Sequence, residues 1–410
     1  MGLGRTVDAL VVGGGIGGLS AALALRAAGH RVRVFERSES FAEVGAGISL
    51  WPNGVMALRQ LGVGGAVDRI SGSMERMAYR RSDGRLLTRF SLEPLYRDVG
   101  ERAAPVPRAS LHEALADALG AEAIQMGTNC TGVRNTATGA AATLVKSGRS
   151  FEVEADLVVA ADGTHSRLRQ ALAANGSRRS YVGYVNWNCL VHEGKIGSLF
   201  EADTWTTYVG EGKRASAMPA GNGKWYVFFD VPLDESEAGR SSSHVVPADD
   251  PGPGPGSTLA GELDRHFGGW APAVGELVDA TRNQRVNRIP IHDHHPPLPS
   301  FVHGRLVLLG DSAHAMAPDL GQGGCQAIED SVVLARCLQS EPGIDGALSA
   351  YDSLRVPRTT AICLRARKRA RLVHGADSRQ TEAWYDDLAH EDGFDIMAGI
   401  KKSVFGGAFT

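Results

Sequence analysis

A glycine-rich turn between an apolar strand and an Ala/Leu-rich helix is the feature that most constrains how this chain folds. The strand pattern DALVV precedes the turn GGGIGG at 13–18, and a second strand pattern, RVRVF, follows the helical run at 31–35. This order predicts a strand, a turn, a helix and a second strand parallel to the first. The GxGxxG spacing serves a tight turn, close backbone approach to a pyrophosphate and close helix packing. It is formed by three residues: Gly13, Gly15 and Gly18.

An acidic residue follows the second strand of this unit. Glu36 stands where a carboxylate can accept hydrogen bonds from a ribose diol, and we assign its neighbour Arg37 to the same nucleotide site. The alternative is a glycine-rich turn that binds no ligand. The strand before it, the helix after it and the acid at the strand end favour dinucleotide binding.

Two later strand patterns, at 155–160 and 305–309, also end in an acid beside a glycine. Asp162 follows the first, and Asp311 follows the second and opens a glycine-rich loop. The free N–H groups of a helix that starts in such a loop suit phosphate or the electron-rich edge of a flavin. A nicotinamide dehydrogenase needs no such second site, so the loop favours FAD, although an acid that caps a helix is the alternative. The loop glycines assigned to the cofactor are Gly321, Gly323 and Gly324.

Composition excludes several classes of protein. The chain has 43% hydrophobic and 22% charged residues and a net charge of −3, which is typical of a globular protein and too balanced for nucleic-acid binding. No apolar stretch approaches the roughly 20 residues of a membrane span, and the first apolar run is too short for a signal peptide. Five cysteines without a CxxC pair predict neither disulfides nor a thiolate metal site, and they favour the cytoplasm.

These patterns predict an α/β (α+β) chain with a Rossmann-like FAD-binding domain, an interleaved antiparallel-sheet substrate domain and a C-terminal helical segment. Residues 181–233 alternate apolar and polar positions, which indicates antiparallel strands with one solvated or ligand-facing side. The Pro/Gly/Ser-rich run at 236–258 predicts a mobile loop. The predicted division is 1–72, 99–180 and 281–372 for the FAD-binding domain, 73–98 and 181–280 for the substrate domain, and 373–410 for the helical segment.

Three motifs in this order resemble the fingerprints of the single-component flavoprotein aromatic hydroxylases, the para-hydroxybenzoate and salicylate hydroxylase group. They are the N-terminal glycine motif, ADGTHSRLR at 161–169 and GDSAHAMAP at 310–318. The resemblance implies FAD held by the opening glycines and Glu36, with Asp311 at the ribityl and phosphate region. It also implies cofactor contacts around Asp162, and it matches Arg108 to an arginine near the flavin, for which a surface arginine is the alternative.

Within this family the chain is more similar to the urate-hydroxylating members. The resemblance implies hydroxylation of urate to 5-hydroxyisourate with NADH and dioxygen, with Arg214 and Tyr226 holding and orienting the substrate. The stretches that carry it are 51–55, 76–80, 183–188, 205–214, 228–233 and 374–388.

The residues themselves support this assignment more weakly. Arg214 could pair with a planar anion, and a solvated arginine at a strand edge is an equal alternative. Tyr226 lies in an apolar strand, where an ordinary core tyrosine is the alternative. We expect Asp319, beside the flavin loop, to accept a ring N–H, and His314 to be a hydrogen-bonding neighbour of the site, not a general base. The cluster His292–His295 predicts a solvated loop and no metal site.

The mechanism that the resemblance implies is reduction of FAD by NADH, formation of a C(4a)-hydroperoxyflavin and oxygen transfer to an aromatic or purine anion. The apolar run Ala315–Ala317 and the insertion at 236–258 differ from the family pattern and leave the substrate open. The alternatives are another phenolic or N-heterocyclic acid such as salicylate, NADPH instead of NADH, and a flavin-binding protein without turnover. Sequence leaves the oligomeric state open, and the segment after Leu372 is either an interface helix or packed on its own domain.

Overall fold

The structure is a computed structural model that describes residues 6–41, 46–171, 176–239, 259–282 and 284–407. The strands are β1 (Asp8–Val12), β2 (Arg31–Phe35), β3 (Gly47–Leu50), β4 (Arg76–Arg81), β5 (Leu86–Ser91), β6 (Ala104–Pro107), β7 (Ile124–Gln125), β8 (Thr128–Asn135), β9 (Ala140–Lys146), β10 (Arg149–Ala155), β11 (Leu157–Ala160), β12 (Arg178–His192), β13 (Thr204–Gly210), β14 (Lys213–Gly221), β15 (Lys224–Pro232), β16 (Asn287–His295), β17 (Val302–His303) and β18 (Leu306–Leu308).

Helices surround these strands, and short 3-10 turns occur at Ala121–Ala123, Leu168–Ala171 and Pro318–Leu320. The helices are α1 (Ile16–Ala27), α2 (Pro52–Gln60), α3 (Gly64–Ile70), α4 (Glu93–Val99), α5 (Arg108–Leu119), α6 (Glu193–Ile196), α7 (Glu235–Ala238), α8 (Leu259–Phe267), α9 (Pro272–Thr281), α10 (Asp311–His314), α11 (Gly323–Ser340), α12 (Ile344–Val373), α13 (Ser378–Leu388) and α14 (Phe394–Val404). No helix of the described residues is both long and apolar enough to cross a membrane.

A six-stranded sheet forms the nucleotide-binding half and has the order β17-β18-β11-β1-β2-β7. All its neighbours are parallel except β17 and β18. Val12 is in register with both Phe35 and Ala160, and Ala160 is in register with Leu308. The four predicted site motifs therefore begin at one edge of the sheet, because each follows one of these aligned residues. The predicted strand-turn-helix-strand unit is confirmed.

A seven-stranded sheet forms the other half and has the order β16-β12-β15-β14-β13-β4-β5, with β13 and β4 as its parallel pair. Alternate residues of its central strands, such as Trp187, Ala217 and Phe229, are buried in one apolar core that also takes in α8 and α9. The intervening residues point to the opposite face. This alternation confirms the predicted antiparallel sheet with one distinct face.

Two smaller sheets complete the chain. Strands β10-β9-β8 form an antiparallel ribbon, and β3 pairs with β6. Helix α1 is rich in alanine and leucine and packs with α11 beside the parallel sheet; it ends where Gly29 adopts φ +86°. The division into domains stays a prediction, and β16 joins the seven-stranded sheet as its edge strand.

Several local predictions differ from the structure or are decided by it. The prediction of a loop at His292–His295 is wrong: these residues end β16, and Asp293 and His294 are buried beneath neighbouring arginine side chains. Most of the predicted loop at 236–258 lies outside the described residues, and its start forms α7. Trp384 and Tyr385 are buried within their own chain. All five cysteines are buried and free of disulfides.

Candidate active site

The glycine turn after β1 is shaped to accept a ligand in front of Gly15. A Cβ atom at Gly13 would overlap the carbonyl oxygen of Ala161, and one at Gly18 would overlap the carbonyl oxygen of Gly13, so both positions need glycine. A Cβ atom at Gly15 would have no protein atom within 4 Å. Gly15 is the N-cap of α1, and no side chain caps the helix. The free N–H groups of the first turn therefore face open space, which suits a pyrophosphate.

Glu36 and Asp162 lie on either side of this turn. Both Glu36 carboxylate oxygens accept backbone N–H groups, from Gly14 at 2.6 Å and from Ser38 at 2.9 Å. One Asp162 oxygen accepts the N–H of Arg167 at 3.1 Å, whereas the other is buried without a hydrogen-bond partner among the described residues. A buried oxygen of this kind favours a donor from a bound group, such as a ribose or ribityl hydroxyl.

Three further residues of the predicted cofactor site are exposed to solvent. Arg37 follows Glu36 on the rim of the sheet edge, and Arg108 is the first residue of α5. Asp311 is the first residue of α10 and follows Gly310, whose N–H donates to the buried Asp330. Their positions leave all three side chains available to a cofactor, and their contacts with it stay predictions.

The glycine-rich loop after α10 brings α11 to the same edge. A Cβ atom at Gly321 would lie 2.6 Å from Trp51 Nε1, and one at Gly324 would lie 2.5 Å from Ile48 Cδ1, so these two glycines permit close packing. Gly323 is open by comparison, with its nearest atom at 3.9 Å. The buried Trp51 Nε1–H has no hydrogen-bond partner among the described residues. A loop with open helix amides and a free donor fits the polar edge of a flavin.

A buried network of charged residues supports this loop from behind. Asp330 on α11 accepts His314 Nε2 at 2.7 Å and Arg355 Nε at 2.6 Å, and Arg355 Nη1 also donates to Glu329 at 2.9 Å. Burial alone would raise the pKa of Asp330, but His314 and Arg355 hold it below its usual value. His314 therefore acts as a hydrogen-bonding neighbour of the loop, as the sequence predicts.

The predicted substrate residue Arg214 lies on the face of the seven-stranded sheet that is opposite its apolar core. We call this face the site face. Its side chain is 13% exposed, and its Nε donates to Asp230 Oδ2 at 2.7 Å. Its Nη2 lies 3.5 Å from Asp319 Oδ1. Its Nη1 makes no hydrogen bond within the described part of the chain. Burial would lower the pKa of Arg214, but the two carboxylates raise it, so the guanidinium stays charged. Its Nη1 group is available to donate to a ligand.

Asp319 is the second predicted substrate residue that this arrangement brings together. It accepts Tyr184 Oη at 2.7 Å and His374 Nε2 at 3.1 Å, and its side chain is fully buried. Burial would raise its pKa, but the bonds from His374 and Tyr184 and the charge of Arg214 lower the pKa of Asp319 to about 2. Asp319 is therefore an ionised hydrogen-bond acceptor.

Tyr226 lies on the same face, four residues before Asp230 along β15. Its half-buried ring packs against Gly47, where a Cβ atom would lie 2.5 Å from Tyr226 Cγ, and it contacts Phe228 at a centroid distance of 5.2 Å. The described residues offer no hydrogen-bond partner to its hydroxyl, which is therefore available to a ligand. Burial and the nearby Asp230 raise its pKa, so the hydroxyl stays protonated. Ala315 and Ala317 are buried and apolar, as predicted.

The residues that hold Arg214 and Asp319 are not among the residues predicted from the sequence. Asp230 accepts Asn186 Nδ2 at 2.7 Å, and Asn186 in turn accepts Asn188 Nδ2 at 2.5 Å. Tyr184, Asn186 and Asn188 alternate with Val185 and Trp187, so all three point to the site face. Polar residues at every second position of an otherwise apolar strand were the available signal.

A cavity of about 470 Å³ lies between the start of β12 and the end of α12, and His374 is part of its lining. Tyr181, Leu233, Glu235 and Arg371 are among its lining residues. None of the predicted site residues lines it. The predicted site residues therefore cluster apart from this cavity.

Comparison with known proteins shows similarity along almost the whole chain. The family model described as FAD binding domain matches residues 6–246 and 280–366. The chain is 42% identical over 402 residues to an FAD-dependent urate hydroxylase of Klebsiella oxytoca, which covers 98% of this chain and 99% of that protein. It is 39% identical over 407 residues to an FAD-dependent urate hydroxylase of Mycolicibacterium vanbaalenii, which covers 98% and 97%.

A solved structure has the same fold along almost the whole chain. The crystal structure of Klebsiella pneumoniae HpxO complexed with FAD and uric acid has a TM-score of 0.88 and 40% sequence identity, over 98% of both chains. The similarity therefore extends over both sheets and the C-terminal helices.

Proposed function

Since the chain belongs to the FAD-dependent monooxygenases that carry this FAD binding domain, we propose that it hydroxylates urate to 5-hydroxyisourate with NADH and dioxygen. Urate, NADH, a proton and dioxygen yield 5-hydroxyisourate, NAD⁺ and water, so atoms and electrons balance. The observation that carries the proposal is the buried Arg214–Asp319 pair, in a chain that is similar to urate hydroxylases over 98% of its length. Tyr226 lies on the same sheet face, and its hydroxyl has no hydrogen-bond partner among the described residues.

Residues at the edge of the parallel sheet fit the cofactor. FAD, when bound, accepts a hydride from NADH and activates dioxygen for transfer to an electron-rich ring. The amides behind Gly13, Gly15 and Gly18 would hold its pyrophosphate, and Glu36 would hold a ribose. The buried free oxygen of Asp162 and the indole N–H of Trp51 would each gain a partner from it.

Arg214 and Asp319 together match a ring N–H beside a carbonyl group. A guanidinium donates to a carbonyl oxygen, and an ionised carboxylate accepts an N–H, so the pair complements a lactam edge. Urate offers such an edge, whereas salicylate does not. The charge of Arg214 would also stabilise the urate anion, and the Tyr226 hydroxyl would fix its orientation in the plane of the ring.

Water exclusion is the remaining requirement, because activated oxygen that meets water is released as hydrogen peroxide. Ala315 and Ala317 are buried and apolar beside the flavin loop, and Trp51, Trp205 and Phe228 are packed around the site face. These residues would keep the reacting ring dry. Five cysteines without disulfides agree with a cytoplasmic enzyme.

The test measures NADH oxidation, oxygen consumption and product on the purified FAD-loaded protein. We expect urate to stimulate NADH oxidation severalfold and to be consumed in step with NADH, whereas salicylate does neither. NADPH in place of NADH tests the electron donor in the same assay.

Three outcomes would contradict the proposal. Preferential turnover of salicylate would assign a different ring, and peroxide release without an oxygenated product would remove the hydroxylase activity. Protein that is loaded with FAD but consumes no NADH with either compound would be a flavin-binding protein without turnover.

A further inference from the structure

The segment that follows α12 holds the turn from which Arg214 extends. Gly212, at the tip of the β13–β14 hairpin, donates its N–H to Tyr385 Oη at 3.0 Å, and its carbonyl oxygen accepts His374 Nδ1 at 3.2 Å. A Cβ atom at Gly212 would lie 3.2 Å from Gly375 Cα, so turn and segment touch backbone to backbone. Both polar groups of one turn residue are thus bound by the C-terminal segment.

The hairpin turn itself requires this glycine. Glu211 and Gly212 have φ of +54° and +70°, the pattern of a tight turn with two left-handed residues. Arg214 lies only two residues further along β14. The position of the turn therefore bears on where the Arg214 side chain starts.

His374 also reaches the opposite side of the site. Its Nε2 donates to Asp319 Oδ1 at 3.1 Å while its Nδ1 faces the Gly212 carbonyl. A carbonyl oxygen and a carboxylate oxygen both accept hydrogen bonds, so each ring nitrogen of His374 faces an acceptor. The ring is 3% exposed and stacks on Tyr184 at a centroid distance of 3.8 Å. One buried ring therefore contacts both the hairpin of Arg214 and the carboxylate of Asp319.

Arg214 and Asp319 come from different halves of the molecule. The distance between them therefore depends on contacts that join the two halves. Arg214 belongs to the seven-stranded sheet, and Asp319 belongs to the loop between α10 and α11. Their closest atoms are 3.5 Å apart, which leaves little tolerance for a sliding of one half over the other. The ring of Tyr385 is itself held by Arg81, whose guanidinium lies 4.5 Å from its centroid.

We propose that His374 and Tyr385, the C-terminal clasp, are positioning residues that lock the hairpin turn against Asp319 and so set the spacing of the two groups that bind the substrate. The inference rests on the proposed function for the identity of that substrate. The clasp contacts Gly212 and Asp319, and it acts on the site through these two residues.

The experiment compares His374→Ala, His374→Gln and Tyr385→Phe with wild type and with His390→Ala as a control. His390 belongs to the same C-terminal segment, just after α13, and is exposed; among the described residues its ring hydrogen-bonds only to the carbonyl oxygen of Asp386. FAD content, kcat for NADH oxidation, KM for urate and urate hydroxylated per NADH are measured. Hydrogen exchange of the amides at 210–214 is measured in the same proteins.

We expect the clasp variants to keep their FAD and a kcat near that of wild type. KM for urate should rise about tenfold in His374→Ala, because a charge-assisted hydrogen bond is lost, and less in Tyr385→Phe. Urate hydroxylated per NADH should fall, and the Gly212 amide should exchange faster. His374→Gln retains a donor for Asp319 and should lie between His374→Ala and wild type. The His390→Ala control should match wild type.

Unchanged KM, coupling and amide exchange in both His374→Ala and Tyr385→Phe would overturn the clasp. If wild type does not hydroxylate urate, the proposed function fails separately. In that case the exchange of the Gly212 amide still decides the clasp: faster exchange in the variants supports it, and unchanged exchange refutes it.

Discussion

The ionisation of Asp319 shows how single residues set the chemistry of this site. A buried carboxyl group on its own would tend to be protonated, which would turn an acceptor into a donor. Hydrogen bonds from His374 and Tyr184 and the charge of Arg214 reverse that tendency and lower its pKa from 3.8 to about 2. Asp319 thereby keeps the acceptor character that a ring N–H requires.

The depressed pKa predicts how the free energy of unfolding depends on pH. Because the folded pKa lies below the unfolded one, the stabilisation is fully present above about pH 4 and is lost as the pH falls towards 2. The depressed pKa of Asp319 contributes about 2 kcal/mol to the free energy of unfolding at neutral pH, and about 1 kcal/mol of this should be lost between pH 5 and pH 3. Urea unfolding of wild type and Asp319→Asn at both pH values measures it. Equal losses of stability in the two proteins would show that Asp319 has no depressed pKa.

At the scale of elements, different glycines of the turn before α1 serve helix packing and cofactor binding. Gly18 lets α1 pack against the turn, whereas Gly15 leaves room in front of the helix. The first is a requirement of folding, and the second is a requirement of cofactor binding. A methyl group at Gly18 should therefore lower stability, whereas a methyl group at Gly15 should weaken cofactor binding.

We predict that Gly18→Ala lowers the free energy of unfolding by roughly 1–3 kcal/mol because its Cβ atom would overlap the Gly13 carbonyl. Gly15→Ala should change the stability of the apoprotein by less than about 1 kcal/mol while weakening FAD binding by roughly tenfold or more. Thermal unfolding of the apoproteins and titration with FAD measure the two effects. Unaltered FAD affinity in a folded Gly15→Ala protein would remove the pyrophosphate from this turn.

At the scale of the whole molecule, buried charges connect parts that are distant in sequence. Glu329 accepts Asn53 of α2, Arg355 of α12 and Arg358, and Arg358 donates to the carbonyl oxygens of the C-terminal residues 403 and 405. Asp330 connects the same network to the flavin loop. The carboxylates are fully buried, so their partners cannot be replaced by water.

Arg355→Met should therefore destabilise the protein by about 3–5 kcal/mol, because it leaves two buried carboxylates with an incomplete set of partners. Arg282→Met is the matched control, since Arg282 pairs with Asp264 and Asp279 at 44% exposure and should cost at most about 1 kcal/mol. Urea unfolding of both variants gives the comparison. A loss in Arg355→Met no larger than in the control would contradict a structural role for the network.

Much of the architecture could be predicted from the sequence because the patterns that indicate it involve residues close together in the chain. The spacing of Gly13, Gly15 and Gly18 and the alternation at 181–233 each depend on neighbours a few residues apart, and the fold class and the family are confirmed. The loop predicted at His292–His295 failed for the opposite reason. Histidine and aspartate are read as solvated, but distant arginines pair with Asp293 and His294 and bury them at the end of a strand.

Sequence by itself determined the nucleotide-binding unit, the two kinds of sheet and Arg214, Tyr226 and Asp319 as candidate residues. Only the tertiary structure decided which groups surround them, because Arg214 lies 105 residues from Asp319 and His374 lies 162 residues from Gly212. Periodicity and motif spacing carry no information over such separations. Packing of the two sheets against the C-terminal helices brings these partners within hydrogen-bonding distance.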